Sequence, residues 1–208
     1  MYVKLDETNQ NIIEFPYSLG KLRRDNPNIS FSESISSNTL STFHVFAVIT
    51  DDIPSYNSET HFIRKNTSPV YENGQWILKY SILSTDINTI KTRKIASLKQ
   101  LRDEYLYGGI SYANTVFQTD DLTQQRMTGA ALAVTVDPTI VINWKTNDGS
   151  FLEMSSSDII SVATLIRLHI QACFNNEMTL KEQIENANTT NDIQSIDIQS
   201  GWPVKLIH

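Results

Sequence analysis

The sequence predicts an α+β fold: a β-rich N-terminal module, then a module of helices and short antiparallel hairpins ending in a long C-terminal helix. Three observations predict it. Up to residue 84, apolar residues come in short runs rich in β-branched and aromatic side chains, bounded by Asn, Asp, Gly and Pro. Beyond residue 85, apolar residues recur at helical spacing in three longer segments. Two turn signals, Asn73-Gly74 and Asp148-Gly149, each separate a pair of strand-like runs. The 208 residues therefore divide into modules 1–84 and 85–208.

The elements follow in order. Residues 2–5 and 11–16 are short apolar stretches and read as strands. Residues 21–28 form a charged loop, where Pro27 discourages helix. Residues 36–43 fit one short helix with Leu40 and Phe43 facing inward. Residues 44–50 are a strand rich in β-branched and aromatic side chains. Residues 51–58, with Pro54 and Asn57, break the chain. A short strand at 61–64 precedes a hairpin over 70–80, turned by Asn73-Gly74.

In the second module, Thr85 or Asp86 caps a helix that runs to Tyr107 and ends at Gly108-Gly109. A small hairpin covers 110–117. Thr119-Asp120 caps a helix over 122–134, which Asp137-Pro138 stops. Residues 140–145 and 151–154 flank the Asn147-Asp148-Gly149 turn. Ser155 to Asp158 caps the longest helix, residues 157–187, whose buried side takes in Ile159, Val162, Ile166, His169 or Ile170, Cys173, Leu180, Ile184 and Ala187. After a polar break come Ile193, Ile196 and Ile198, then Gly201-Trp202-Pro203 and an apolar tail, 204–207.

Composition narrows the function. Lys and Arg number 17 and Asp and Glu 23, a net charge of −6. That balance argues against general binding to nucleic acid or anionic membranes. One Cys excludes an internal disulfide framework and any multi-cysteine metal site. No uninterrupted apolar run approaches the ~20 residues of a membrane helix, and residues 1–10 are too polar for a secretory signal. Polarity comes from Asn, Ser, Thr and Gln more than from charge. Codon bias explains that, and so does life in an assembly.

Candidate chemistry is sparse. The four histidines, His44, His61, His169 and His208, show no metal-ligand spacing. Cys173 lies four residues after His169, so the two share a helix face. A nucleophile also needs an orienting group and an oxyanion site, and the plainer reading is a small buried hydrophobe. Asp148 is the first residue of a turn, and Asp120 a cap. Lys91, Arg93, Lys94, Lys99 and Arg102 form a basic stretch, read as a solvated or partner-facing surface rather than a phosphate grip. The sequence thus offers no catalytic residue, cofactor or metal ligand. Trp76, Trp144 and Trp202 flank turns, where they close local cores or, as the second choice, meet partners. Trp202 and Tyr56 are the candidate interface anchors.

Residues 98–187 carry a resemblance. Their strings are Leu98-Lys99-Gln100-Leu101-Arg102, then Gly109-Ile110 with Val116-Phe117-Gln118-Thr119-Asp120, then Gln124-Gln125-Arg126-Met127-Thr128-Gly129-Ala130. Asn143-Trp144-Lys145-Thr146-Asn147-Asp148-Gly149 and Ala172-Cys173-Phe174 follow. In this order they resemble an uncharacterised domain of tailed-phage tail and tail-fibre proteins. Asn28-Ile29-Ser30-Phe31, Leu40 to Val45, Pro54-Ser55-Tyr56-Asn57 and Asn73-Gly74-Gln75-Trp76 are similar to a second recurrent phage-tail segment. That segment usually has Gly-Val at His44-Val45 and Tyr-Asp at Tyr56-Asn57.

The resemblance implies a non-enzymatic virion protein, made in the host bacterial cytoplasm and built into the tail as an adaptor or hinge between fibre and tail or baseplate. Its partners would be fibre, baseplate, tube or nozzle subunits and copies of itself, with cyclic symmetry such as a trimer. The alternative is a tail-fibre assembly chaperone absent from the mature virion. A glycan hydrolase, with Asp148 and Glu153 as its carboxylates, is the third reading. Gly129 is expected to allow close approach of another backbone.

Overall fold

The computed structural model describes residues 1–206; Ile207, at the end of the expected apolar tail, and His208 lie outside the described residues. The chain is α+β and falls into two compact units, Met1–Thr85 and Asp86–His208.

The first unit is built on a five-stranded sheet. Strands β1 (Tyr2–Leu5), β2 (Ile12–Tyr17) and β3 (Val45–Thr50) are antiparallel neighbours, with β1 in the middle. β5 (Val70–Glu72) and β6 (Gln75–Leu78) form the hairpin expected around Asn73-Gly74, and β6 joins β3 in parallel. Alternation buries Val3 and Leu5 against Val48 and Leu78.

Three details differ from the sequence reading. The charged segment 21–28 is not a loop: most of it belongs to helix α1 (Leu19–Asp25). Ser18 caps that helix by accepting from the Lys21 N–H, and Leu22 is fully buried. Pro27 only fixes where it stops. Second, the later strand of the hairpin ends at Leu78. Tyr80 instead begins β7 (Tyr80–Ser84), which pairs with β4 (His61–Lys65) as a separate ribbon. Third, His44 is not in the strand. It turns the chain at φ 54° after helix α2 (Ser37–Thr42), with its ring 2.9 Å from the Asn9 side-chain oxygen.

The second unit packs helices α3 (Ile87–Leu106), α4 (Asp121–Val136) and α5 (Ser156–Asn186) with two hairpins and a short helix α6 (Thr190–Ser195). Asp86 caps α3, and Asp120 caps α4 by accepting from the Thr123 N–H at 3.0 Å. A reciprocal capping box, Ser155 with Asp158, starts α5. Hairpin β8 (Ile110–Tyr112) to β9 (Thr115–Phe117) turns at Ala113-Asn114, and β10 (Ile142–Lys145) pairs with β11 (Phe151–Met154). In the second turn, Gly149 takes φ 87°, a left-handed conformation that a side chain disfavours. The main core joins both hairpins to α4 and α5 through Phe117, Met127, Met154, Ile159 and Val162.

Thr119 is more than part of a cap signal. Fully buried, its hydroxyl donates to the Leu106 carbonyl (2.6 Å) and accepts from the Gly109 N–H (3.1 Å). It therefore clasps the end of α3 to the segment entering α4.

α5, at 31 residues, is about 46 Å long. By length and composition alone it could cross a membrane. Its apolar stripe instead packs within the unit, burying Ile159, Val162, Ile166, Cys173, Leu180 and Ile184. The helix contains no long uninterrupted apolar run because Ser, Thr, Arg and His fall between the apolar positions.

Candidate functional site

The second unit carries an open groove of about 540 Å³. Three elements wall it. β9 and its exit bring Val116, Phe117 and Gln118; α4 brings Thr123, Arg126 and Ala130; β10 and the following turn bring residues 142–147. Thr123, Arg126 and Ala130 share one helix face because they lie three and four residues apart. The Asp120 cap sets where that face begins. On β10, Ile142 and Trp144 pack on the main core while Asn143 and Lys145 are exposed, as alternation requires. The Gln118 amide donates to the Asn147 side-chain oxygen at 2.7 Å, bridging the two hairpin ends.

The groove is polar, amide-rich and cationic. Arg126 and Lys145 make no ion pair among the described residues. An adjoining hollow of about 320 Å³ shares Val116, Thr146 and Asn147 and adds Asp148. The hydroxyls of Thr146 and Ser150, with the Ser150 N–H, donate to the Asp148 carboxylate. Together they hold its pKa down to about 2. Asp148 is thus an ionised turn anchor at neutral pH, poorly matched to general-acid work. The arrangement is suited to holding a ligand by hydrogen bonds, charge and a Trp face.

The other sequence candidates fall elsewhere. Cys173 and His169 do share a buried face of α5. Burial pushes the Cys173 thiol up to about 11, the wrong direction for a nucleophile. The His169 ring lies 2.9 Å from the Tyr105 carbonyl. Among the described residues, no group of His, Cys, Asp and Glu could hold a metal ion. In the basic stretch, Lys91 donates to the Glu185 carbonyl, Lys94 to the Ile193 carbonyl and Arg102 to Glu177. Lys91 and Lys94 thereby tie α3 to the last carbonyls of α5 and α6, where helix ends favour positive charge, and Arg102 ties it to the α5 carboxylate of Glu177.

Tyr56 is exposed in a loop of the first unit. Trp202 is half-buried, stacked on Tyr105 with ring centroids 5.3 Å apart, and donates to the Ile198 carbonyl. It packs against the cluster of Leu98, Leu180 and Ile184. Gly129 does not admit another backbone of this chain: open space lies where its Cβ would be. In the sequence, Gln118, Arg126 and Lys145 lie within longer strings and carry no distinguishing pattern of their own. No sequence signal shows that these strings meet across a groove.

The fold is that of a two-unit α+β protein with an open polar groove in its second unit. The chain belongs to the family described as Domain of unknown function (DUF4376), whose profile matches residues 89–199, more than half of the sequence. The matched segment contains the whole groove. No curated protein and no solved structure matches the chain.

Proposed function

We propose that this chain is a non-enzymatic structural component of a phage tail, an adaptor or hinge linking a tail fibre to the tail or baseplate. The observation that carries the reading is a convergence. Two strings on which the phage-tail resemblance rests, Gln124-Gln125-Arg126 and Asn143-Trp144-Lys145-Thr146-Asn147, both contribute to the same open groove. A shared surface of amides, two cations and an aromatic suits protein binding better than bond cleavage. Exposed apolar side chains support self-association: Leu122, Leu132 and Val136 on α4, and Ile160, Leu168 and Met178 on α5.

Mass spectrometry and cryo-microscopy of purified virions test this. The chain is expected in the particle at a fixed ratio to other tail subunits. Its absence from mature particles would refute the structural role and favour the assembly-chaperone reading.

A further inference from the structure

Both hairpins of the second unit are two-stranded, so each leaves strand edges without partners. Their register decides which backbone groups face outward. The Thr146 N–H donates to the Ser150 carbonyl at 2.9 Å. In an antiparallel ladder, bonded and non-bonded pairs then alternate. Trp144 opposite Leu152 and Ile142 opposite Met154 are bonded pairs, and the N–H and C=O of Asn143 and Lys145 are directed away from β11. In the other hairpin, the two-residue turn at Ala113-Asn114 makes Tyr112 and Thr115 a bonded pair. The same alternation directs the backbone groups of Val116 away from β8. Val116, Asn143 and Lys145 all line the groove.

A lysine on a short edge strand normally discourages indiscriminate pairing. Here two hairpins turn free edges onto one hollow, and Arg126 and Lys145 stand in it without carboxylate partners among the described residues. We propose that the groove takes an extended acidic peptide segment of a partner protein, which adds a strand to the free edge of β10. Main-chain hydrogen bonds to Asn143 and Lys145 would supply affinity, as in other strand additions. Apolar side chains would meet Phe117, Ala130 and Trp144, and acidic ones would answer Arg126 and Lys145. This inference does not depend on the tail reading.

The test uses the full ¹⁵N-labelled chain and a capped seven-residue peptide alternating valine and glutamate. The amide signals of Val116, Asn143 and Lys145 are expected to shift, and those of Asn143 and Lys145 to exchange more slowly. Binding should weaken as salt rises. A peptide with lysine in place of glutamate, or the Arg126→Glu variant, should lower affinity about tenfold or more. Asn143→Pro removes an outward donor at a position where an edge strand tolerates proline, and should abolish binding. If that variant misfolds, the peptide N-methylated at alternate amides gives the same readout on the unchanged protein. No shifts at millimolar peptide would overturn the proposal. So would equal binding of the lysine or N-methylated peptide, or shifts produced by a neutral oligosaccharide and not by the peptide.

Discussion

Replacing Thr119 by valine tests the clasp between the end of α3 and the entry to α4. The substitution keeps shape and removes the hydroxyl that donates to Leu106 and accepts from Gly109. Thr119 is fully buried and both partners are buried too. Leaving a buried polar group unpaired costs about 1–3 kcal/mol, so two such groups cost about 2–6 kcal/mol. The added methyl returns about 0.8 kcal/mol. The net loss is about 1–5 kcal/mol, from combining those two estimates. With a urea m-value of about 2 kcal/mol/M, the unfolding midpoint falls by about 0.5–2.5 M. Far-UV circular dichroism follows it, because α3, α4 and α5 dominate the helical signal. Thr119→Ser keeps both bonds and should lose only about 1 kcal/mol, the value of one buried methyl. A valine variant within about 0.5 kcal/mol of the parent, the usual range for surface substitutions, would refute the clasp. Equal destabilisation by serine and valine would also refute it.

Other outcomes follow from single contacts. Trp202→Ala loses the Tyr105 stack and should destabilise the second unit by about 2–3 kcal/mol, below the range for fully buried aromatics. The first-unit sheet, read by backbone amide shifts, should stay intact. Native Cys173 should resist thiol reagents at mildly alkaline pH and react only as the unit unfolds, since burial raises its pKa to about 11. The folded-state pKa of Asp148 is depressed, so its stabilising contribution is present above the unfolded value of about 4. That contribution is lost as pH falls through about 2. A carboxyl ¹³C titration should therefore place Asp148 well below ordinary aspartate, and Asp148→Asn should flatten the acid limb of hairpin stability.

Much of the fold was legible because local chemistry agreed with it. Asp86, Asp120 and Ser155 are strong caps before periodic apolar segments, and each starts a helix. Asn73-Gly74 and Asp148-Gly149 turn hairpins, as their tolerance of left-handed backbone predicts. The failures were long-range. Residues 21–28 looked like loop because their charges hid Leu22, whose burial beneath the sheet stabilises α1. Tyr80 continues the apolar run of β6 in the sequence, yet it pairs with the strand expected at 61–64, and nothing local announces that pairing. The terminal position of Trp202 suggests an interface anchor, while its stacking partner Tyr105 lies nearly a hundred residues earlier.

The sequence by itself determined the class, the division near residue 85, the helix starts and the turn positions. Those depend on residues within a few positions of one another, whose capping bonds and backbone preferences are local. Only the tertiary structure decided which strand edges lack partners and which cations lack carboxylates. It also brought Gln118, Arg126 and Lys145 to one groove. Edge, charge balance and concavity depend on residues distant in the chain being packed together, and no local pattern encodes them.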